Sequence, residues 1–259
     1  MYLQDKVIVV NGVGPDMGRQ IALRGAAAGA DVVLAARTAS RLEEVAAEVK
    51  ELGRRALVVP TDMTVEADVQ HLAEASVAEF GKVDALIHNA LVMPPISSLE
   101  KVDLDAVQAG FSNNVISALR MTRLFIPALE QTKGAVVMVN SMVVRLSQLG
   151  MGPYKMAKSG LLACASSLAT ELGPKGIRVN SVAPGHIWGD SLKWYFSYQA
   201  KKRGITPEEV YAETAAGIDL RRLPEPDEIA DAVLFLASPL SRAITGQCLD
   251  VNCGEYHHQ

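Results

Sequence analysis

The stretch that decides the fold reads Val7-Ile8-Val9-Val10-Asn11-Gly12-Val13-Gly14-Pro15-Asp16-Met17-Gly18. Its β-branched run predicts a buried strand, the glycines predict a tight turn, and the residues from Met17 predict a helix. Such a turn lets the main chain approach a diphosphate, whose charge is met by free N–H groups at the helix N-terminus. The stretch therefore indicates a strand–turn–helix unit that binds a nucleotide, and a tight turn without a ligand is the alternative.

The remainder of the chain continues this alternation of strand and helix. The further predicted strands are Asp31–Ala35, Ala56–Val59, Ala85–Ile87, Ala135–Val139, Arg178–Val182 and Cys248–Val251. The predicted helices are Met17–Ala28, Arg41–Leu52, Ala67–Phe80, Leu104–Leu129, Lys155–Leu172 and Asp227–Ala237. Continuous Val/Ile/Leu strands are typical of sheets buried on both faces. The pattern predicts an α/β fold, a doubly wound parallel seven-stranded sheet with helices on both faces, in one domain over 1–259.

The composition narrows the class of protein. The chain has 259 residues, 49% of them hydrophobic, and a net charge of −4 without a basic tract, which argues against nucleic acid and anionic membranes as partners. No apolar run reaches the roughly 18 residues that span a bilayer, and the N-terminus lacks a signal-peptide pattern. Three cysteines without metal-ligand spacing predict no metal site and a cytoplasmic location.

The segment 189–223 interrupts the alternation and predicts a helical lid over the ligand-binding end of the sheet. Near its start, five of the chain's 13 aromatic residues fall within 11 positions, namely Trp188, Trp194, Tyr195, Phe196 and Tyr198. Such a cluster indicates the lining of a pocket for a bulky apolar substrate. The alternative is that these rings pack the lid on the body of the protein or on another subunit.

A Tyr-x-x-x-Lys pair occurs at Tyr2/Lys6, Tyr154/Lys158 and Tyr198/Lys202. Only Tyr154 and Lys158 begin a long helix after a strand and have a serine, Ser141, 13 residues upstream. Residues four apart on a helix share a face, so we expect the Lys158 ammonium to lower the pKa of the Tyr154 phenol from about 10. Tyr154 then serves as general acid or base, and Ser141 donates a hydrogen bond to the substrate oxygen.

This Ser…Tyr-x-x-x-Lys arrangement, with the glycine turn and the strand order, resembles the short-chain dehydrogenase/reductase family over essentially the whole chain. The resemblance implies a Rossmann-like fold and hydride transfer between a nicotinamide cofactor and a ketone or secondary alcohol. It implies that Lys158 also binds the nicotinamide ribose and that Asn114, 13 residues before Pro127, holds a water in a proton relay behind the lysine. Asn113 is adjacent, so a shift of one residue stays open.

The cofactor segments resemble the family less closely. The turn matches a TGxxxGxG loop except that Asn11 replaces threonine and Asp16 replaces the middle glycine. A carboxylate beside a diphosphate is unfavourable unless it points away, and Asp16 is able to cap the following helix instead. The resemblance implies that the loop contacts the cofactor through Gly12, Asp16, Met17 and Gly18.

Three later segments complete the implied cofactor site, and the first two follow the third and fourth predicted strands. Asp62 and Met63 follow the third strand, where the family has an aspartate on the adenine amino group, although a turn aspartate is an equal alternative. The segment His88-Asn89-Ala90-Leu91 matches the family's NNAG only at Asn89 and Ala90.

The segment Pro184-Gly185-His186-Ile187-Trp188 resembles the family's PG motif after the sixth strand. The resemblance implies that Ile187 offers its main chain to the nicotinamide carboxamide, and that Pro184 and Gly185 also contact the cofactor. Gly189 stands where a threonine is frequent, so one contact is missing.

The end of the second strand bears on the choice of coenzyme. An acid there would bind the adenosine ribose and repel a 2′-phosphate, but Ala36 occupies that position. Arg37 follows and is able to pair with a 2′-phosphate, although a solvated surface arginine is the alternative. Pro15 stands where NADP-preferring relatives often carry a second basic residue. We predict NADP(H) as the preferred coenzyme, with NAD(H) possible.

The substrate and the assembly are predicted from apolar surfaces. Between Ser141 and Tyr154, apolar residues add an adaptable wall, so the predicted substrate-binding residues are Met142, Val143, Met151, Trp188 and Trp194. We expect a bulky hydrophobic small molecule, steroid-like or acyl. The helix Lys155–Leu172 is rich in small residues, through which family members pair, and it predicts a homodimer or homotetramer.

Other functions compete with an NADP-linked reductase. A nucleotide-binding protein without turnover is supported by the departures at Asp16, His88, Leu91 and Gly189, and opposed by the complete set of four catalytic residues. An NAD-dependent alcohol dehydrogenase is a further alternative. A reductase of carbon–carbon double bonds fits less well, because the serine–tyrosine spacing suits a carbonyl oxygen.

Overall fold

The computed structural model describes residues 1–257, and its centre is one parallel sheet of seven strands in the order β3-β2-β1-β4-β5-β6-β7. The strands are β1 (Val7–Asn11), β2 (Asp31–Ala36), β3 (Ala56–Pro60), β4 (Ala85–His88), β5 (Ala135–Val139), β6 (Arg178–Pro184) and β7 (Cys248–Val251). The predicted doubly wound sheet is confirmed. Its strand order reverses between β1 and β4, and ligands bind at such a switch point, beyond the carboxyl ends of the strands.

Helices cover both faces of the sheet. They are α1 (Met17–Ala27), α2 (Ala39–Glu51), α3 (Glu66–Phe80), α4 (Leu104–Phe111), α5 (Ser117–Thr132), α6 (Gly152–Leu172), α7 (Asp190–Arg203), α8 (Pro207–Ala216) and α9 (Pro226–Ala237). Successive side chains of β1 point to opposite faces: Ile8 and Val10 pack with α1, α2 and α9, whereas Val7 and Val9 pack with α3, α5 and α6. Two apolar layers therefore fix the sheet between the helices.

The predicted continuous helix over Leu104–Leu129 is interrupted. Between α4 and α5 the chain forms a π-helical turn, Ser112–Ile116, in which Ser117 N donates to Ser112 O. Asn114 Nδ2 donates to Gly110 O at 2.7 Å, so the Asn114 side chain binds a main-chain carbonyl of the preceding helical turn. Apolar periodicity does not reveal this interruption, because the residues on both sides stay helical.

The segment 189–223 contains α7 and α8, which pack on each other around Phe196, Ala200 and Val210. A capping box at Thr206 and Glu209 begins α8. None of the helices within residues 1–257 has the length and apolar character needed to cross a membrane.

Candidate active site

A cavity of about 460 Å³ lies at the carboxyl ends of β1 to β4. Its walls include six of the predicted cofactor residues, Gly12, Arg37, Asp62, Met63, Asn89 and Ala90. They come from four separate turns, and the parallel strands bring these turns to one edge of the sheet. The cavity lies at the switch point and is large enough for part of a dinucleotide.

The glycine turn fits a diphosphate because its main chain packs closely on neighbouring main chain at two glycines, Gly12 and Gly18, where no side chain could be placed. Gly12 has a φ of +98°, and a Cβ on it would lie 2.3 Å from Ala90 N. A Cβ on Gly18 would lie 2.2 Å from Gly12 O. Asn89 Nδ2 donates to Gly12 O at 2.6 Å and fixes the turn against the wall after β4. The first turn of α1 carries no acid, so its N–H groups suit an anion.

Asp16 does not cap the helix that follows it. It occupies the N-cap position of α1 without a side-chain capping bond, and its Oδ1 instead accepts from Asp190 N, the first residue of α7, at 3.2 Å. A Cβ on Gly189 would come within 3.0 Å of the Asp16 carboxyl group. The expected cap on α1 is therefore corrected: Asp16 caps the lid helix, because the N-terminus of α7 lies beside the turn.

At the adenosine end, Arg37 and Arg41 line the same cavity. Arg41 lies in the first turn of α2, which contains no acidic residue. The sequence interpretation missed Arg41, although its spacing of four residues from Arg37 at a helix start was an available signal. Asp62 accepts hydrogen bonds from Thr64 N and Oγ1, which hold its pKa below the usual range, and Arg37 lowers that pKa further. Asp62 is thus a turn aspartate that also lines the cavity.

A second cavity, of about 150 Å³, contains the predicted catalytic pair. Ser141 follows β5 and Tyr154 lies in the first turn of α6, and Met142, Val143 and Met151 form an apolar wall between them. Val143 N donates to Ser141 Oγ at 3.3 Å, which orients the hydroxyl at the start of a 3₁₀ turn. Hereafter this space is called the catalytic cavity.

Lys158 lies buried behind Tyr154. Its Nζ donates to Val139 O at 2.8 Å and lies 5.9 Å from the centroid of the Tyr154 ring. Burial lowers the pKa of Lys158 to about 8. Burial raises the pKa of Tyr154, and the nearby Ser141 hydroxyl opposes this shift. The expected lowering by Lys158 is therefore wrong for this structure, because the ammonium is bound to a main-chain carbonyl and desolvation of the phenolate dominates.

Asn114 is buried in the π-helical turn. Besides its bond to Gly110, Nδ2 donates to Val92 O at 2.7 Å and Oδ1 accepts from Val92 N at 3.1 Å. Both amide protons are thus used by the main chain, so the side chain positions the segment after β4, and the water relay at Asn114 stays a prediction. Asn113 is half-buried and lines the first cavity.

Several predicted residues lie outside both cavities. Trp188 packs inside the lid, with ring centroids 5.4 Å from Phe196 and 4.6 Å from Tyr211. Trp194 is 71% exposed and stacks on Tyr198. Neither tryptophan is among the residues that line the catalytic cavity. Met17 and Ile187 are partly buried against the core beneath the sheet edge.

His88 is structural. Its Nε2 bonds to Thr122 Oγ1 at 2.9 Å, and burial lowers its pKa to about 4. The ring is therefore neutral near pH 7 and lies in the core, away from both cavities. His186 and Gln148, in contrast, line the catalytic cavity, and neither was predicted to contact the substrate.

Two cavities at one sheet edge, a diphosphate-type turn and a serine–tyrosine–lysine set define a nicotinamide-dependent oxidoreductase. The family model described as enoyl-(acyl carrier protein) reductase matches residues 12–256. The chain belongs to the short-chain dehydrogenase/reductase family and is an NAD(P)-dependent oxidoreductase acting on alcohol or carbonyl groups.

Relatives and solved structures resemble the chain over nearly its full length. It is 32% identical to the 7α-hydroxysteroid dehydrogenase of Escherichia coli K12, over 98% of this chain and 95% of the relative. A 7α-hydroxysteroid dehydrogenase structure with NADH and 7-oxo glycochenodeoxycholic acid has a TM-score of 0.87 at 32% identity, over 97% of this chain and 94% of that one. The L-sorbose reductase of Gluconobacter frateurii, solved with NADPH and L-sorbose, has a TM-score of 0.91 at 27% identity, over 98% of both chains.

Proposed function

We propose that this enzyme reduces a bulky hydrophobic ketone to a secondary alcohol with NADPH, using Tyr154 as the proton donor. The observation that carries the proposal is the catalytic cavity, in which Ser141 and Tyr154 line one small space with Lys158 buried behind them. A ketone oxygen in this space lies within reach of both hydroxyl groups. The apolar wall between them offers contacts to the carbon atoms beside the reacting group.

The residues divide the work of carbonyl reduction. The coenzyme supplies the hydride. Ser141 Oγ donates a hydrogen bond to the substrate oxygen, where negative charge develops. The raised pKa of Tyr154 keeps its phenol protonated near neutrality, so the phenol has a proton to transfer to that oxygen. Lys158 is positively charged at pH 7, because its pKa is about 8, and its Nζ donates to Val139 O behind the Tyr154 ring. Asn114 keeps the neighbouring wall in place.

The preference for NADPH over NADH is supported by positive charge at the adenosine end. Arg37 and Arg41 line that end of the first cavity, and the acid-free N-terminus of α2 adds partial positive charge. Ala36 offers no carboxylate to repel a 2′-phosphate or to bind a free ribose hydroxyl. In an NAD-dependent alcohol dehydrogenase the two arginines would have no 2′-phosphate to pair with.

A bulky apolar substrate is supported by a groove beside the catalytic cavity. The groove has a volume of about 480 Å³ and shares Gln148 and Met151 with the cavity. Leu99, Leu149 and Met156 add apolar surface to it. The reacting end of the substrate would occupy the small cavity, and its remainder would lie along the groove. The names of similar proteins include hydroxysteroid dehydrogenases, which agrees with this arrangement.

A homodimer or homotetramer is supported by apolar side chains beside α6. Met156 is 47% exposed on α6, and Ile116 and Phe111 are 41% and 37% exposed on the adjoining segment. Light scattering at micromolar concentration tests this assembly, and a monomer contradicts it. The free thiols of Cys164, Cys248 and Cys253 support a reducing, cytoplasmic location.

The experiment that tests the function follows NADPH absorbance with a panel of ketones. We expect turnover with large cyclic ketones, weaker turnover with polyols or sugars, and a higher kcat/KM for NADPH than for NADH. The Tyr154→Phe variant should lose turnover while keeping its affinity for NADPH. Nucleotide binding without oxidation by any ketone would favour the alternative of a non-catalytic binding protein.

A further inference from the structure

A polar side chain with no assigned role, His186, lines the catalytic cavity. His186 follows Gly185 after β6, and its side chain is 38% exposed. Ser141 and Tyr154 act on the substrate oxygen, which leaves His186 and Gln148 as the polar side chains available for the rest of the substrate. Of these two, only His186 is able to carry a charge.

Glu255 holds His186 from the C-terminal segment. Its Oε2 accepts from His186 N at 3.0 Å, and its Oε1 bonds to His186 Nδ1. Glu255 is positioned by a turn in which its own N donates to Asn252 O at 3.0 Å and Gly254 N donates to Asn252 Oδ1 at 2.9 Å. A Cβ on Gly185 would lie 2.5 Å from Glu255 Oε2, so glycine at this position makes room for the carboxylate.

These contacts fix the protonation and orientation of the ring. An ionised carboxylate accepts hydrogen bonds only, so His186 Nδ1 carries a proton. Hydrogen bonding to Glu255 raises the pKa of His186 and stabilises the imidazolium, whose second donor is Nε2–H. Within residues 1–257, His186 Nε2 has no hydrogen-bond partner. In its protonated form His186 presents a free Nε2–H donor to the cavity, which is suited to an anionic oxygen.

We propose that His186 is a specificity-determining residue that binds a carboxylate of the substrate, with Glu255 as its positioning residue. This inference rests on the proposed function, because it takes the catalytic cavity as the substrate site. The cavity of about 150 Å³ has room for roughly one ring, so the carboxylate lies within about one ring of the reacting carbon. The substrate class is then a keto acid or hydroxy acid with an apolar body.

Calorimetric binding tests this inference without turnover. Wild-type enzyme saturated with NADP⁺ is titrated with cyclohexanecarboxylate and with cyclohexanecarboxamide, which has the same shape and no charge. We expect the carboxylate to bind at least about tenfold more tightly than the amide, as for loss of one charge-assisted hydrogen bond. His186→Gln should abolish this preference and leave amide affinity unchanged, and Glu255→Gln should weaken the preference.

Two controls separate the possible failures. His257→Gln alters an exposed histidine of the same segment, which pairs with Asp219, and should keep the preference. Tyr154→Phe should keep it also, since the phenol acts on the other end of the substrate. Equal or undetectable binding of the two ligands by the wild type, or an unchanged preference in His186→Gln, would overturn the inference. Carboxylate preference without turnover of any ketone would instead overturn the proposed function.

Discussion

Replacing Asn114 with alanine removes three hydrogen bonds between a buried side chain and the main chain. The Val92 N–H and C=O groups and the Gly110 carbonyl each lose a partner. An unsatisfied polar group costs about 1–3 kcal/mol, and the half-buried Val92 recovers part of this cost from water, so we expect the free energy of unfolding to fall by about 2–4 kcal/mol. The melting temperature should fall by roughly 5–10 °C for a chain of this size.

Urea denaturation followed by circular dichroism measures the loss, and Asn113→Ala is the matched control. Asn113 is half-buried and makes no side-chain hydrogen bond within the described residues, so its replacement should change stability by less than about 0.5 kcal/mol. Val92 lines the coenzyme cavity, and Asn114→Ala should therefore also raise KM for the coenzyme. Equal stability losses in the two variants would refute the assignment of Asn114 as the positioning residue.

Two further predictions concern charge. Replacing Arg37 and Arg41 together with alanine should lower kcat/KM for NADPH by at least about tenfold, because a 2′-phosphate pairs with both cations. The kcat/KM for NADH should change by less than about twofold. Steady-state kinetics with each coenzyme measures both values, and equal losses for the two coenzymes would contradict the prediction. His88 should make the fold sensitive to acid, because its buried ring has a pKa of about 4. As pH falls from 6.5 toward 4, the histidine of the unfolded chain binds a proton while the buried ring of the folded chain stays neutral. The free energy of unfolding should therefore fall by up to about 3 kcal/mol over this range. Urea denaturation near neutrality and at about pH 5 should show a smaller acid-induced loss in His88→Asn than in the wild type, and identical losses would rule out this source of the pH dependence.

The sheet could be predicted from sequence because its strands are buried on both faces. A continuous run of β-branched residues such as Val7–Val10 is typical of a buried parallel strand, and the observed β1 extends this run by a single residue. Ser141 and Tyr154 could also be predicted to meet, because the 12 residues between the end of β5 and the start of α6 return the chain to the same edge of the sheet. Local spacing was sufficient in both cases.

Features that depend on distant parts of the chain could not be predicted. The partner of Asp16 lies 174 residues away, and nothing in the turn indicates that the N-terminus of α7 passes beside it. The pKa of Tyr154 depends on how deeply the fold buries the phenol, which outweighs the helical spacing to Lys158. His186 was visible in the sequence, but its role became apparent only with Glu255, 69 residues further on.

The contact of Asp16 with α7 has a consequence for how the two unusual positions are compared with the family pattern. Asp16 and Gly189 each depart from that pattern, yet the carboxyl group of one fills the space that a side chain at the other would need. A side chain at 189 would require the Asp16 carboxyl group to shift by a few tenths of an ångström, so the two departures are in direct contact. Sequence comparisons and engineering of either position should therefore consider the two residues together, because their contact joins the coenzyme turn to the start of α7.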